Sequence, residues 1–214
     1  MKFAFNIESP IWKFMGFMGD LICLNLLFIA TSIPIITIGT SLTSLYAVLF
    51  KMKEKRDSYL VKEYFTEFIR NFKNSTIIWG MYLAFMTICC LNINLQLNLN
   101  AGNTKVLFIA LGVAMFFISI TVMYALAMQA RFENSLQQTL AKSFLFSIMC
   151  FPYTLCMVTL VAICGAISIV NVTYILYAVM FWFVIGFASV GYLHSRLFLK
   201  AFKRFTFEES VELE

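Results

Sequence analysis

Few residues of this chain combine a chemically useful side chain with a place inside an apolar run. Asp20 and Asn25 do, in the stretch FMGDLICLN at positions 17 to 25. An acid and an amide buried together are the minimum for a proton or cation relay, provided that both face one cavity. Helical phase separates them, because Asp20 shares a face with Cys23, Leu27 and Thr31, whereas Asn25 shares one with Ser32. Asp20 also lies only about 10 Å beyond Lys13 by helical rise, which is short of a midplane position. Two readings stay open: an acid facing an inner cavity with Asn25, or a surface-side anchor paired with Lys51, His194, Arg196 or a helix N-terminus. The next segment adds Thr37, Thr40, Ser41 and Ser44, so Asp20, Asn25, Thr37, Ser41 and Ser44 form the candidate polar site. Such Ser and Thr residues more often pack and hydrogen-bond helices than bind substrates.

Other chemistry lacks a residue pattern. The cysteines are Cys23, Cys89, Cys90, Cys150, Cys156 and Cys164, all within or beside apolar stretches, with no CxxC spacing, and His194 is the only histidine. Neither a zinc site nor a disulfide framework has support. No GxxxxGK[ST] or GxGxxG motif is present to cradle a nucleotide. No paired acids or Ser/His set occurs at usable spacing, so the expectation is a protein that is not an enzyme and needs no cofactor or metal.

The elements that must position these residues follow from composition. The 214 residues are 61% apolar and 13% charged, too few polar groups to cover a soluble surface. Apolar runs of about 18 residues or more recur, long enough to cross a hydrocarbon core of about 30 Å. Runs such as 106–128 are apolar on every side, unlike the alternating strands of a membrane barrel. The expected fold is an all-α polytopic transmembrane bundle forming one domain over 1–214. Its spans fall at about 11–32, 34–53, 76–95, 106–130, 144–169 and 174–199, six in all. Pro34 breaks the first pair, and Pro152 kinks the fifth. Gly39 is either a further break or a close-packing point. The first run contains Asp20 and Asn25 and leads to no compact cleavage site, so it is expected to be retained.

With the N-terminus inside, every lysine and arginine except Lys105 falls on the cytoplasmic side, as the positive-inside rule favours. Both termini are therefore expected in the cytoplasm. The net charge of +5 reflects this topology and attraction to anionic lipid, not nucleic-acid binding. Between the second and third spans, residues 58–74 carry Leu60, Val61, Tyr64, Phe65, Phe68 and Phe72 at three- and four-residue spacing among charges. That pattern predicts a cytoplasmic amphipathic helix, lying on the inner leaflet or docking on a partner through Tyr64, Phe65, Phe68 and Phe72. On the outer side, the alternating stretch 92–103 reads as the fraying end of the third span.

The N-terminal part carries a resemblance. FNIESPIWKF, GDLICLNLLFIATSIPIITIGTSLTSLYAVLFKM and YFTEFIRNFKNSTIIW are similar to the DUF624 (YesL-like) family of bacterial membrane proteins over about residues 4–80, with Phe28 where that family has tryptophan. The resemblance implies the cytoplasmic membrane of mainly Gram-positive bacteria and genes beside carbohydrate ABC importers and glycan-degrading enzymes. Joined to the lack of catalytic groups, it gives the expectation of a non-enzymatic accessory protein for oligosaccharide ABC uptake. Its partners would be the lipid bilayer and importer permease subunits, met through the amphipathic helix and the first two spans. The alternatives are a small transporter or channel with a polar path near Asp20 and Asn25, and a membrane sensor acting on a regulatory partner.

Overall fold

A computed structural model describes residues 10–54, 59–99, 104–132, 135–169 and 172–211. Helix α1 (Pro10–Ser32) is followed by a 3-10 turn (Ile35–Thr37) and α2 (Ile38–Lys53). Then come α3 (Leu60–Leu99), α4 (Thr104–Arg131), α5 (Leu136–Met149), α6 (Phe151–Ile169), α7 (Val172–Phe181), a π-helical turn (Trp182–Gly186) and α8 (Phe187–Val211). No strand occurs among the described residues. Five helices are long and apolar enough to cross a membrane, or up to six if the bent pair α5 and α6 is one span. The chain is a multi-pass, all-α membrane protein.

The break between α1 and α2 sits at Pro34, which is extended (φ −72, ψ 120). Pro34 has no N–H to continue a helical ladder. Thr37 ties the resulting turn, its hydroxyl lying 2.7 Å from the carbonyls of both Thr31 and Pro34.

Helix α2 is the central rod, in contact with α1, α3, α4 and α8. Leu45, Val48 and Leu49 join Leu21, Leu24 and Phe28 of α1 and Ala188 of α8 in one cluster. Tyr46 and Phe50 join Tyr124 of α4 and Phe198 and Phe202 of α8 in another. Phe198 stands edge-on to both Tyr46 and Tyr124, with centroids 5.4 and 5.1 Å away. Thr40, Ser41, Thr43 and Ser44 are fully buried. Ser41, Thr43 and Ser44 donate to the carbonyl four residues back, and Thr40 and Thr43 also meet Thr76 and Ser75 of α3. Gly39 is a packing point and not a break: a Cβ there would stand 2.5 Å from Trp79 Cβ and 3.0 Å from the Ser75 carbonyl oxygen.

Three elements differ from the expectation. The amphipathic segment and the third span are one continuous helix of 40 residues, so residues 60–74 stand in line with the span instead of lying across its end. The Asn74-Ser75-Thr76 triplet resembles a helix start, but Ser75 and Thr76 spend their hydroxyls on α2, and α3 has no Pro and no Gly before Gly80 to interrupt the ladder there. The fifth apolar run divides into α5, begun by a Ser135/Gln138 capping box, and α6, with an 88° bend between them. Pro152 has no N–H and restricts Phe151 before it, which places the bend at Cys150. The last run holds a π turn that its uniform apolarity does not reveal.

Candidate functional site

The polar residues singled out in the sequence do not converge. Asn25 is fully buried and faces the π turn, where a wide i to i+5 turn leaves backbone groups out of register. Its Nδ2 donates to the carbonyls of Trp182 (3.1 Å) and Phe183 (2.7 Å), and its Oδ1 accepts from the Ala188 amide (3.0 Å). Thr37 closes the turn after α1, while Ser41 and Ser44 bond back along α2. Asp20 is partly exposed on α1 and makes no ion pair with the described residues. Lys51 is engaged by glutamates and His194 by Tyr46, 3.4 Å from its Nδ1. Of the expected docking face, Tyr64 is a core residue at 0% exposure, Phe68 is partly buried, and Phe65 and Phe72 are exposed.

A different constellation does converge. Along α3, Tyr64, Glu67, Asn71 and Ser75 follow one stripe at three- and four-residue spacing, and all four are buried. Glu67, 1% exposed, gathers three donors. Lys51 Nζ lies 2.9 Å from Oε1, Arg70 Nη2 2.6 Å from Oε2, and Asn71 Nδ2 3.1 Å from Oε2. Glu63 is a second partner of Lys51. The chain of contacts continues from Asn71 to Gln129 of α4 (3.5 Å) and on to Thr139 of α5 (3.3 Å). A carboxylate so fully bonded is compensated for its burial. Its effect is to fix the positions of Lys51 and Arg70.

Beside this seam lies a cleft of 520 Å³ between α2, α3 and α4. Lys51, Arg70 and Arg131 line it, with one carboxylate, Glu54, and the apolar floor of Ala47 and Phe50. Arg131 Nη1 donates to Glu54 Oε1 at 2.9 Å, and its guanidinium carbon stands 5.9 Å from the Phe50 ring centroid. Nearby, Lys53 Nζ bonds the Tyr192 carbonyl (2.6 Å) and lies over the Tyr192 ring. Fixed guanidinium groups in a partly enclosed space suit oxyanions, because their forked N–H donors match phosphate or carboxylate oxygens. In sequence residues 58–74 read as an amphipathic helix with its charges set between the apolar positions, which hides this group. The signal for it lies in the spacing of Tyr64, Glu67, Asn71 and Ser75.

Residues 21–93 match the family model described as "Protein of unknown function, DUF624". No curated protein and no solved structure matches the chain. The matched segment holds Asn25, the Pro34 turn, all of α2 and the Glu67 stripe of α3, and over residues 21–93 the chain is similar to the DUF624 family.

Proposed function

We propose that this protein is a non-enzymatic accessory subunit of the bacterial cytoplasmic membrane that docks on the permease of a carbohydrate ABC importer. The observation that carries the docking reading is the length and division of α3. Its 40 residues rise about 60 Å, twice the hydrocarbon thickness. From Asn74 to Leu99 the helix carries no charge, and from Leu60 to Lys73 it carries Lys62, Glu63, Glu67, Arg70 and Lys73. The uncharged half fits the hydrocarbon, and the charged half stands beyond it. On that charged half Val61, Phe65, Ile69 and Phe72 are nonetheless exposed, an apolar strip flanked by Lys62 and Lys73. Such a strip fits a partner's apolar groove better than open water. The basic ends of α2, α4 and α8 lie on the same side, which the charge bias assigns to the cytoplasm.

The importer as partner is supported by the family resemblance alone. Tagged protein purified in mild detergent should recover permease subunits, and the Phe65→Ser, Ile69→Ser pair should lose them while the fold persists. Recovery of no permease, together with unchanged oligosaccharide uptake in a deletion strain, sinks the proposal. The transporter alternative draws less support, since Asn25, Thr37, Ser41 and Ser44 are occupied by backbone groups. Solute or proton flux in liposomes that disappears with Asp20→Asn would favour it instead.

A further inference from the structure

The basic cleft stands at a defined depth. Arg70 is one turn from Lys73, the last charged residue of α3, and so about 5 Å from the uncharged stretch. Arg131 ends α4 immediately after a run, 106–130, without a charge, and Lys51 follows the uncharged stretch 38–50 of α2. Three helices thus place their first cations at one level, just outside the hydrocarbon. The headgroup layer there is roughly 5–7 Å deep on each side, and it is where lipid phosphates lie.

The lining has three cations against one carboxylate, and the acids act mainly as braces. Glu54 holds Arg131, while Glu63 and Glu67, outside the lining, hold Lys51 and Arg70. A guanidinium offers five N–H donors, and Glu54 takes one of those of Arg131. The volume of 520 Å³ is in the range of small-molecule sites, about 300–1,000 Å³, and suits a headgroup better than a bare ion. We propose that the cleft between α2, α3 and α4 binds a phosphate ester through Arg70, Arg131 and Lys51, and that its source is an anionic phospholipid of the adjoining leaflet. The occupant would join the charged half of α3 to the ends of α2 and α4. The site stands independently of the importer as partner.

The test uses the full chain in neutral detergent, titrated with phosphatidylglycerol, with phosphatidylcholine and separately with glycerol 3-phosphate, and read by native mass spectrometry. One phosphatidylglycerol should bind saturably and on the order of tenfold more tightly than phosphatidylcholine. Arg70→Gln and Arg131→Gln should each weaken it on the order of tenfold, the scale of one charge-assisted hydrogen bond. Lys73→Gln, the same charge change outside the cleft, should alter affinity by less than about twofold. Glu54→Gln removes the one acid of the lining and should tighten binding, a gain that misfolding cannot produce. Saturable glycerol 3-phosphate binding with the same variant pattern, without phosphatidylglycerol binding, keeps the phosphate site and overturns the lipid source. No saturable binding of either, or binding that all the cleft variants leave unchanged, overturns the site.

Discussion

The Asn25 side chain and the Ala188 backbone amide, 163 positions apart in sequence, form a buried hydrogen bond of 3.0 Å. With the two bonds from Nδ2 to the carbonyls of Trp182 and Phe183, Asn25 uses its acceptor and both donors on the π turn. It restores backbone partners that the turn removes, so α1 and the α7–α8 unit are locked in one register.

Asn25→Leu should therefore destabilise the protein by about 2–3 kcal/mol, since it leaves backbone groups of the π turn unsatisfied in an apolar setting. Thermal or denaturant unfolding in detergent reads this directly. Deleting Val184 removes the extra residue that defines the wide turn, and in that background Asn25→Leu should cost about 1 kcal/mol or less. Equal losses in both backgrounds would show that Asn25 acts through something other than the π turn.

Gly39 and Gly80 make a second pair to compare. An added Cβ at Gly39 meets Trp79 Cβ at 2.5 Å and the Ser75 carbonyl oxygen at 3.0 Å, whereas one at Gly80 meets nothing within 4 Å. Alanine is favoured over glycine in a helix interior by about 1 kcal/mol, and a close backbone contact costs about 1–3 kcal/mol when overfilled. Gly80→Ala should be neutral or stabilising, and Gly39→Ala destabilising. Like-signed shifts in unfolding midpoint would refute the close packing of α2 on α3.

Much of this architecture is legible in the sequence. Uncharged runs mark the apolar helices, and Pro34 marks the break, because each depends on local chemistry. The continuity of α3 is not legible, since Asn74-Ser75-Thr76 has the composition of a helix start and only α2 reveals where two of its hydroxyls go. The π turn leaves no trace, because WFVIG is apolar at every position and carries no phase. Glu67 and Asn71 are visible as an i, i+4 pair in step with Tyr64 and Ser75. Their burial is evident only when α4 supplies Gln129, since a polar stripe reads as solvent-facing until a polar partner appears.

Glu67 should matter more than its neighbour Glu63, although both bond Lys51. Glu67→Ala removes the shared acceptor of Lys51, Arg70 and Asn71 inside the bundle and should cost about 3 kcal/mol, as when one member of a buried ion network is lost. Glu63 has a side chain 25% exposed, and Glu63→Ala should cost about 1 kcal/mol or less. Glu67→Gln keeps the shape and part of the bonding and should fall between them. Unfolding midpoints of the three variants, measured in one detergent, give the ranking; Glu63→Ala proving the more damaging would contradict the network.

The depth of the turn between α1 and α2 gives the last expectation. Trp79 Nε1 donates to the Ile35 carbonyl at 2.8 Å, which ties the turn to α3 only six residues past Lys73 and 20 residues before its end at Leu99. By helical rise the turn is about 9 Å beyond the last charge of α3 and about 30 Å short of its end. Ile33, Ile35 and Ile36 are exposed there, an arrangement suited to hydrocarbon and not to water. Helices α1 and α2 are each long enough to cross, yet their shared turn lies within the apolar layer defined by α3. In a cysteine-free background, Ile36→Cys should resist a membrane-impermeant maleimide added from either side and react with a lipid-soluble one. Lys62→Cys, on the charged half of α3, should react with the impermeant reagent from one side. Rapid labelling of the Ile36→Cys variant by that reagent from the side opposite to Lys62→Cys would place the turn in water and show that the Asn74–Leu99 stretch does not mark the hydrocarbon.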